Sequence, residues 1–300
     1  MMEDFYFSVF LAFLAAFAWG INSHIMKKAM IGENPMRAIG IRSAFTAPLL
    51  IPIVAITLGV KAITIYFSSE LSPLVIFTAV LIIFGDGIFL FGLKYYDVSV
   101  ILPIASTYPL FTVAILIFTD TEDIGYYTIV GTIFIIIGVG IVTRYSGGEG
   151  KFSWRALAIG LGAGFCWGTS IFYVRLILTY DDTEAFGLTG IRTLFMGLIG
   201  FIIYFASSEQ RKLQKLRSDQ EKINSIKLLA LSGIIGWAIG ASAFFWAVQM
   251  IGAGIPTPIS SINPVIASVI GIFYGLEKIT TKQFLGILFS VLGTITILLG

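Results

Sequence analysis

Along this chain Gly85, Pro103, Ser106, Pro109, Phe118, Glu122, Gly131 and Gly138 return as Gly240, Pro258, Ser261, Pro264, Phe273, Glu277, Gly286 and Gly293, each pair 155 residues apart. Upstream the echo continues at slightly shorter offsets. Phe17, Trp19, Gly20 and Lys27 pair with Phe165, Trp167, Gly168 and Arg175, and Gly40, Ile41, Arg42 and Phe45 with Gly190, Ile191, Arg192 and Phe195. Two small connector insertions account for the drift. Self-similarity at a fixed offset marks one structural unit used twice.

What that unit is made of follows from its solvent. Hydrophobic residues make up 57% of the chain and charged residues 12%, a balance foreign to ordinary soluble domains. A bilayer core needs roughly 20 mostly apolar residues per crossing helix. Ten such stretches start near Phe7, Ile39, Leu71, Val98, Tyr126, Ala156, Ala185, Ile226, Gly254 and Lys282. Five per copy is an odd number, so a tandem second copy must enter the membrane upside down. The expected fold is an all-α polytopic membrane protein, with ten transmembrane helices arranged as two inverted five-helix repeats around a central cavity. The repeats are expected at 1–145 and 155–300, joined by a Gly-rich linker at 146–154. Inverted repeats are the architecture of many secondary transporters, in which two near-equivalent halves expose a midplane site to alternate sides.

The start Met1-Met2-Glu3-Asp4 lacks the basic residues of a secretion signal, so the first apolar stretch is expected to remain as a spanning helix. Of the 19 Lys and Arg residues, all but Arg42, Lys61, Arg175 and Arg192 fall in or beside the connectors that follow odd-numbered stretches. The opposite face is acidic, with Asp120, Glu122, Asp123, Asp181, Asp182 and Glu184. The positive-inside rule then puts both termini outside the cytoplasm. The basic run Arg211 to Lys227 reads as this orientation signal and not as a nucleic-acid site, which leaves membrane lipid and a small-molecule substrate as the expected partners.

Other classes lack their signatures. There is no phosphate-binding loop of the G-x-x-x-x-G-K-[ST] type, so energy for transport would come from a gradient. One histidine, one cysteine and no nucleophile elbow argue against an enzyme, a metal site or a cofactor. Cys166 alone excludes a disulfide within the chain and reads as a small core residue. His24, near the end of the first stretch, reads as an interfacial hydrogen-bonding group.

Phe17-Ala-Trp-Gly20 and Phe165-Cys-Trp-Gly168, the matched Arg42 and Arg192, and the runs Pro109 to Glu122 and Pro264 to Glu277 resemble the drug/metabolite transporter superfamily, and more closely its EamA-type ten-helix members. The resemblance covers nearly the whole chain. It implies a plasma-membrane carrier that moves a small organic metabolite (amino acid, nucleotide-sugar-like or drug-like) without ATP. It also implies cytoplasmic termini, the reverse of the charge bias. The small four-helix exporters of that superfamily carry a membrane-embedded Glu in their first helix, and this chain has none there. The competing function is a lipid scramblase or flippase, or a non-transporting scaffold, built on a lipid-open groove.

Charge and rings at the membrane centre mark the candidate site. An intramembrane charge costs on the order of 2.5–3.5 kcal/mol and is a functional hypothesis by default. Asp86 lies deep in the third stretch between Gly85 and Gly87, suited to coupling or cation recognition, and its counterpart is Ala241. Trp19, Asn22, Ser106, Tyr108, Trp167, Tyr173, Trp246 and Asn263 complete the expected substrate pocket. Arg42 and Arg192 are expected as gates, one on each side of the membrane and each paired with an acidic group of the facing half. Pro109 and Pro264 would bend mobile helices. Glu122 and Glu277 read as caps of the fifth and tenth helices. The Gly131/Gly138 and Gly286/Gly293 stripes read as scaffold or a homodimer surface.

Overall fold

The computed structural model describes residues 2–96, 98–145, 153–208, 214, 216–273 and 281–299, and no strand occurs among them. In lipid every backbone N–H and C=O must be satisfied within the segment, which leaves the helix as the local solution for runs of this hydropathy. The helices are α1 Met2–Ala29, α2 Pro35–Thr57, α3 Leu71–Tyr95, α4 in two pieces (Val98–Ala105 and Tyr108–Phe118), α5 Tyr126–Tyr145, α6 Trp154–Ile177 and α7 Ala185–Ala206. Three more follow: α8 (Asp219–Gly233, a π-helical segment Ile234–Ala241, then Ser242–Ile251), α9 in two pieces (Pro256–Ser260 and Asn263–Phe273) and α10 Thr281–Leu298. Seven runs are long and apolar enough to cross a bilayer, α5 and α10 carry shorter apolar cores, and α9 is broken.

Helix starts follow local chemistry. Asn34 Oδ1 accepts from Arg37 N ahead of Pro35, whose missing N–H costs nothing at a first turn. Ser153 caps α6, Glu184 caps α7, and Ser218 with Glu221 forms a capping box on α8. The breaks in α4 and α9 fall just ahead of Pro109 and Pro264, which cannot donate to a continuing helix.

Packing expresses the repeat as a pseudo-two-fold. α1 packs on α8 and α9 of the other repeat, and α6 reciprocally on α3 and α4; α2 pairs with α7, and α5 with α10. A Cβ on Gly240 would stand 2.8 Å from Trp19 Nε1, and one on Gly85 would stand 2.8 Å from Trp167 Cδ1. Likewise Gly20 lies against Ile266 and Gly168 against Phe111, residues that are themselves 155 apart. Matched glycines recur because matched contacts recur.

The glycine stripes and Glu122 both make contacts inside the chain. The glycine stripes of α5 and α10 face one another: a Cβ at Gly131 would meet the Gly293 carbonyl oxygen at 2.5 Å, and one at Gly138 the Gly286 carbonyl oxygen at 2.5 Å. They make a close contact inside the chain, the scaffold reading of these stripes. Glu122 does not cap α5, which begins four positions later. Its carboxylate accepts from Ala253 N at 2.8 Å, Gly254 N at 2.9 Å and Arg175 Nε at 2.5 Å, tying the α4–α5 connector to the α8–α9 connector. Glu277 and the expected linker residues 146–152 lie outside the described residues.

Leucine at Gly131 should overpack the α5–α10 seam and cost about 1–3 kcal/mol, seen as a lower unfolding temperature of the detergent-solubilised protein. Leucine at Gly140, where a Cβ meets nothing within 4 Å, is the control. Equal melting of the two variants would refute the close seam.

Candidate functional site

A cavity of about 130 Å³ lies at the centre of the bundle, roughly ten times the volume a single enclosed water needs. Eight helices line it, all except α5 and α10. Trp19 and Asn22 come from α1, Arg42 from α2, Asp86 from α3 and Tyr108 from α4. The second repeat supplies Trp167, Arg192, Asn263 and, from α8, Trp237, Phe244 and Phe245. Six of the nine expected pocket residues therefore meet: Trp19, Asn22, Asp86, Tyr108, Trp167 and Asn263. Ser106 stands one layer behind, donating to Asn263 Oδ1 at 3.1 Å. Tyr173 packs against Phe77 and Phe172, and Trp246 against Phe7 and Phe186, so both lie away from the cavity.

The broken helices supply the polar wall. Ser260 Oγ donates to Thr257 O at 2.9 Å, which commits its proton, so the Tyr108 hydroxyl 2.7 Å away is the donor to Ser260. Asn263 Nδ2 donates to Ser260 O at 3.1 Å while its Oδ1 accepts from Ser106. The unwound turns at 106–107 and 261–262 are thus stitched together by side chains at the pseudo-axis.

Charge is arranged differently from expectation. Arg42 Nη1 donates to Asp86 Oδ2 at 2.8 Å, and Trp167 Nε1 donates to Asp86 Oδ1 at 3.0 Å. Arg42 and Asp86 both belong to the first repeat, so the pair does not bridge the halves as a gate would. Nor do the two arginines sit on separate faces: both line the one cavity, each buried to 4% exposure. The Arg42 guanidinium lies 3.7 Å over the Trp237 ring and that of Arg192 4.4 Å over Phe245. Their side chains reach inward from opposite ends of the bundle to a common centre.

Sequence reasoning did not find Phe244, Phe245 or the π-helical segment. The available signal was the small-residue series Gly233, Gly236, Gly240. A Cβ at Gly233 would press on the Arg42 carbonyl oxygen, and one at Gly236 on Asn22 Nδ2. The Gly236 carbonyl, on the π-helical segment, accepts from Trp19 Nε1 at 2.8 Å. Such segments are frequent at functional sites.

Beyond the cavity each face carries an inter-repeat latch. On the basic face Glu33, with no side-chain exposure, accepts from Arg217 Nη1 at 2.8 Å and Ser225 Oγ at 2.8 Å, and also pairs with Arg37. On the acidic face Lys61 pairs with Asp182 at 2.6 Å with both side chains exposed. There the Tyr66 hydroxyl donates to Glu184 O and accepts from Glu184 N. His24 Nε2 donates to Ala267 O at 3.0 Å beside the basic face, away from the cavity lining. No cluster of potential metal ligands occurs among the described residues.

Three comparisons bear on the chain. A family model described as the EamA-like transporter family matches residues 6–144 and 154–299. A protein of Archaeoglobus fulgidus described as an uncharacterized transporter is 22% identical over 291 residues, covering 97% of this chain and 98% of that one. A solved crystal structure, 12% identical and covering 97% of this chain and 96% of its own, superposes with a TM-score of 0.73 and shares the fold.

Asp86→Asn leaves a buried guanidinium without its counter-ion and should destabilise the protein by about 3–5 kcal/mol, with part recovered in the double variant carrying Arg42→Gln. Additive losses in that thermal double-mutant cycle would show the pair to be uncoupled. Burial also pushes the Glu184 carboxyl above its usual pKa. The native state then holds more protons than the unfolded chain just above the ordinary carboxylate value, so this group's contribution to stability falls as pH rises through that window. Glu184→Gln, which keeps a capping oxygen, should melt with the parent at pH about 4 and above it near neutrality; a gap independent of pH would contradict this.

Proposed function

We propose that this chain, which belongs to the EamA-like transporter family, is a secondary-active carrier of a small organic solute that works by alternating access. It is a multi-pass membrane transporter; the plasma membrane is its proposed location. The observation that carries the mechanism is a cavity ringed by four helices from each repeat, with its charged groups at the centre. Two halves related by a pseudo-two-fold can exchange roles about such a site, opening it to one face and then to the other. Eight surrounding helices also favour a solute site over the lipid-open groove that scrambling would use.

The latches are the natural gates. An exposed ion pair such as Lys61–Asp182 contributes about 0–1 kcal/mol. Glu33 is buried with several partners, and breaking one such pair costs about 3–5 kcal/mol. The acidic face is held as well by the Glu122 clamp on Arg175 and on the Ala253 and Gly254 amides, so each face carries a shielded contact between the repeats. Asp86, already engaged by Arg42 and Trp167, serves here as the counter-charge that holds Arg42 in place.

Uptake of a metabolite panel into proteoliposomes, with and without a pH gradient and with counterflow, tests the transport reading; no solute moving under any gradient would overturn it. For the gates, a cysteine at Asn22 in a Cys166→Ser background should be labelled poorly from the basic face by a membrane-impermeant thiol reagent. Glu33→Gln should raise that labelling about tenfold or more. Unchanged labelling would remove Glu33 from the gate.

A further inference from the structure

Resting on the transport reading, we propose that the cavity selects a small organic monoanion, with Arg192 taking its carboxylate and the indole and phenyl rings taking its body. Among the described residues the ionisable groups of the lining that carry charge at neutral pH are Arg42, Asp86 and Arg192. Asp86 makes its ion pair with Arg42 through one oxygen and accepts from Trp167 through the other, and it makes no ion pair with Arg192. Arg192 has no ion pair among the described residues. Its contacts are one long hydrogen bond, Nη1 to Ser170 Oγ at 3.4 Å, and the Phe245 face. Its Nε is buried with no partner, as is that of Arg42.

A guanidinium has five donors in a fixed fork. Leaving such a group without a counter-charge at the membrane centre is costly. A carboxylate matches the fork bidentately, and one negative charge brings the cavity to neutrality. A cation would add to the excess charge, and a neutral or zwitterionic solute would leave it standing. The rest of the lining is rich in rings: Trp19, Trp167, Trp237, Phe89 and Phe244 leave the body of the ligand to burial and ring contact. Asn22 Oδ1, also buried and unpartnered, supplies one acceptor for a hydroxyl or amide hydrogen on that body.

The test is binding to the detergent-solubilised protein, read by quenching of the cavity tryptophans and by thermal stabilisation. The probes are phenylacetate and butyrate, with phenylacetamide and phenethylamine as the neutral and cationic analogues and chloride as an inorganic anion. The carboxylates should bind roughly ten- to a hundredfold more tightly than the amide, and the amine should not compete. Arg192→Gln should abolish the discrimination. Arg192→Lys, which keeps the charge and loses the fork, should bind phenylacetate about tenfold more weakly, and this variant decides the matter if the glutamine variant does not fold. The proposal is overturned by absence of carboxylate binding, equal binding of the amide, preference for the amine, chloride alone reproducing the effect, or an unchanged lysine variant. Because no gradient is involved, failure of every transport assay would leave this result standing. Conversely, transport of a neutral solute without carboxylate preference would overturn the anion site and spare the carrier.

Discussion

A large ring laid over a missing side chain, made twice, holds the two repeats together. Trp19 covers Gly240 and Trp167 covers Gly85, each reaching from the first helix of its repeat onto the other repeat. The contact buries an indole, and an indole in a dry interior must find an acceptor for its N–H. The second repeat meets the demand with the Gly236 carbonyl on the π-helical segment of α8; the first meets it with the Asp86 carboxylate. The symmetry of packing is thereby preserved while the symmetry of charge is broken.

That broken symmetry governs the cavity. Asp86 accepts from Trp167 through Oδ1 and pairs with Arg42 through Oδ2. Arg192 occupies the matched position on α7, where the corresponding acid is Ala241. The two arginines are equivalent by descent from the repeat and different by environment, one neutralised and one not. The surrounding rings, including Phe245 beneath Arg192 and Trp237 beneath Arg42, soften the electrostatic penalty without cancelling the charge. The latches repeat the pattern at the faces. The buried Glu33–Arg217 pair and the exposed Lys61–Asp182 pair join corresponding connectors, yet only the first is shielded from water. A duplicated scaffold thus carries two inequivalent ends and an inequivalent centre.

Much of the scaffold was legible beforehand because its causes are local. Apolar length indicates a spanning helix, Pro109 and Pro264 indicate bends where the structure has breaks, and an odd number of spans per copy indicates inversion. Of the site, residues that are polar or aromatic at mid-helix were readable as a group, and Trp19, Asn22, Asp86, Tyr108, Trp167 and Asn263 do converge. Ser106, Tyr173 and Trp246 share the same local character but point elsewhere, since rotation about a helix axis depends on neighbours from distant parts of the chain. Phe244 and Phe245 escaped notice for the converse reason: among 26 phenylalanines, nothing local distinguishes a ring that faces a cavity from one that faces lipid.

By itself, then, the sequence determined the solvent, the number of spans, the duplication, its inversion and the bends at Pro109 and Pro264, all set by hydropathy, proline and parity. Only the tertiary structure decided the partners. It turned Glu122 from a helix cap into a clamp on the Ala253 and Gly254 amides, spent the glycine stripes on the α5–α10 seam, and brought Arg42 and Arg192 into one cavity with a single carboxylate between them. A hydrogen bond or ion pair is fixed by positions a few ångströms apart in space, and those are set by how distant helices rotate and tilt as they pack.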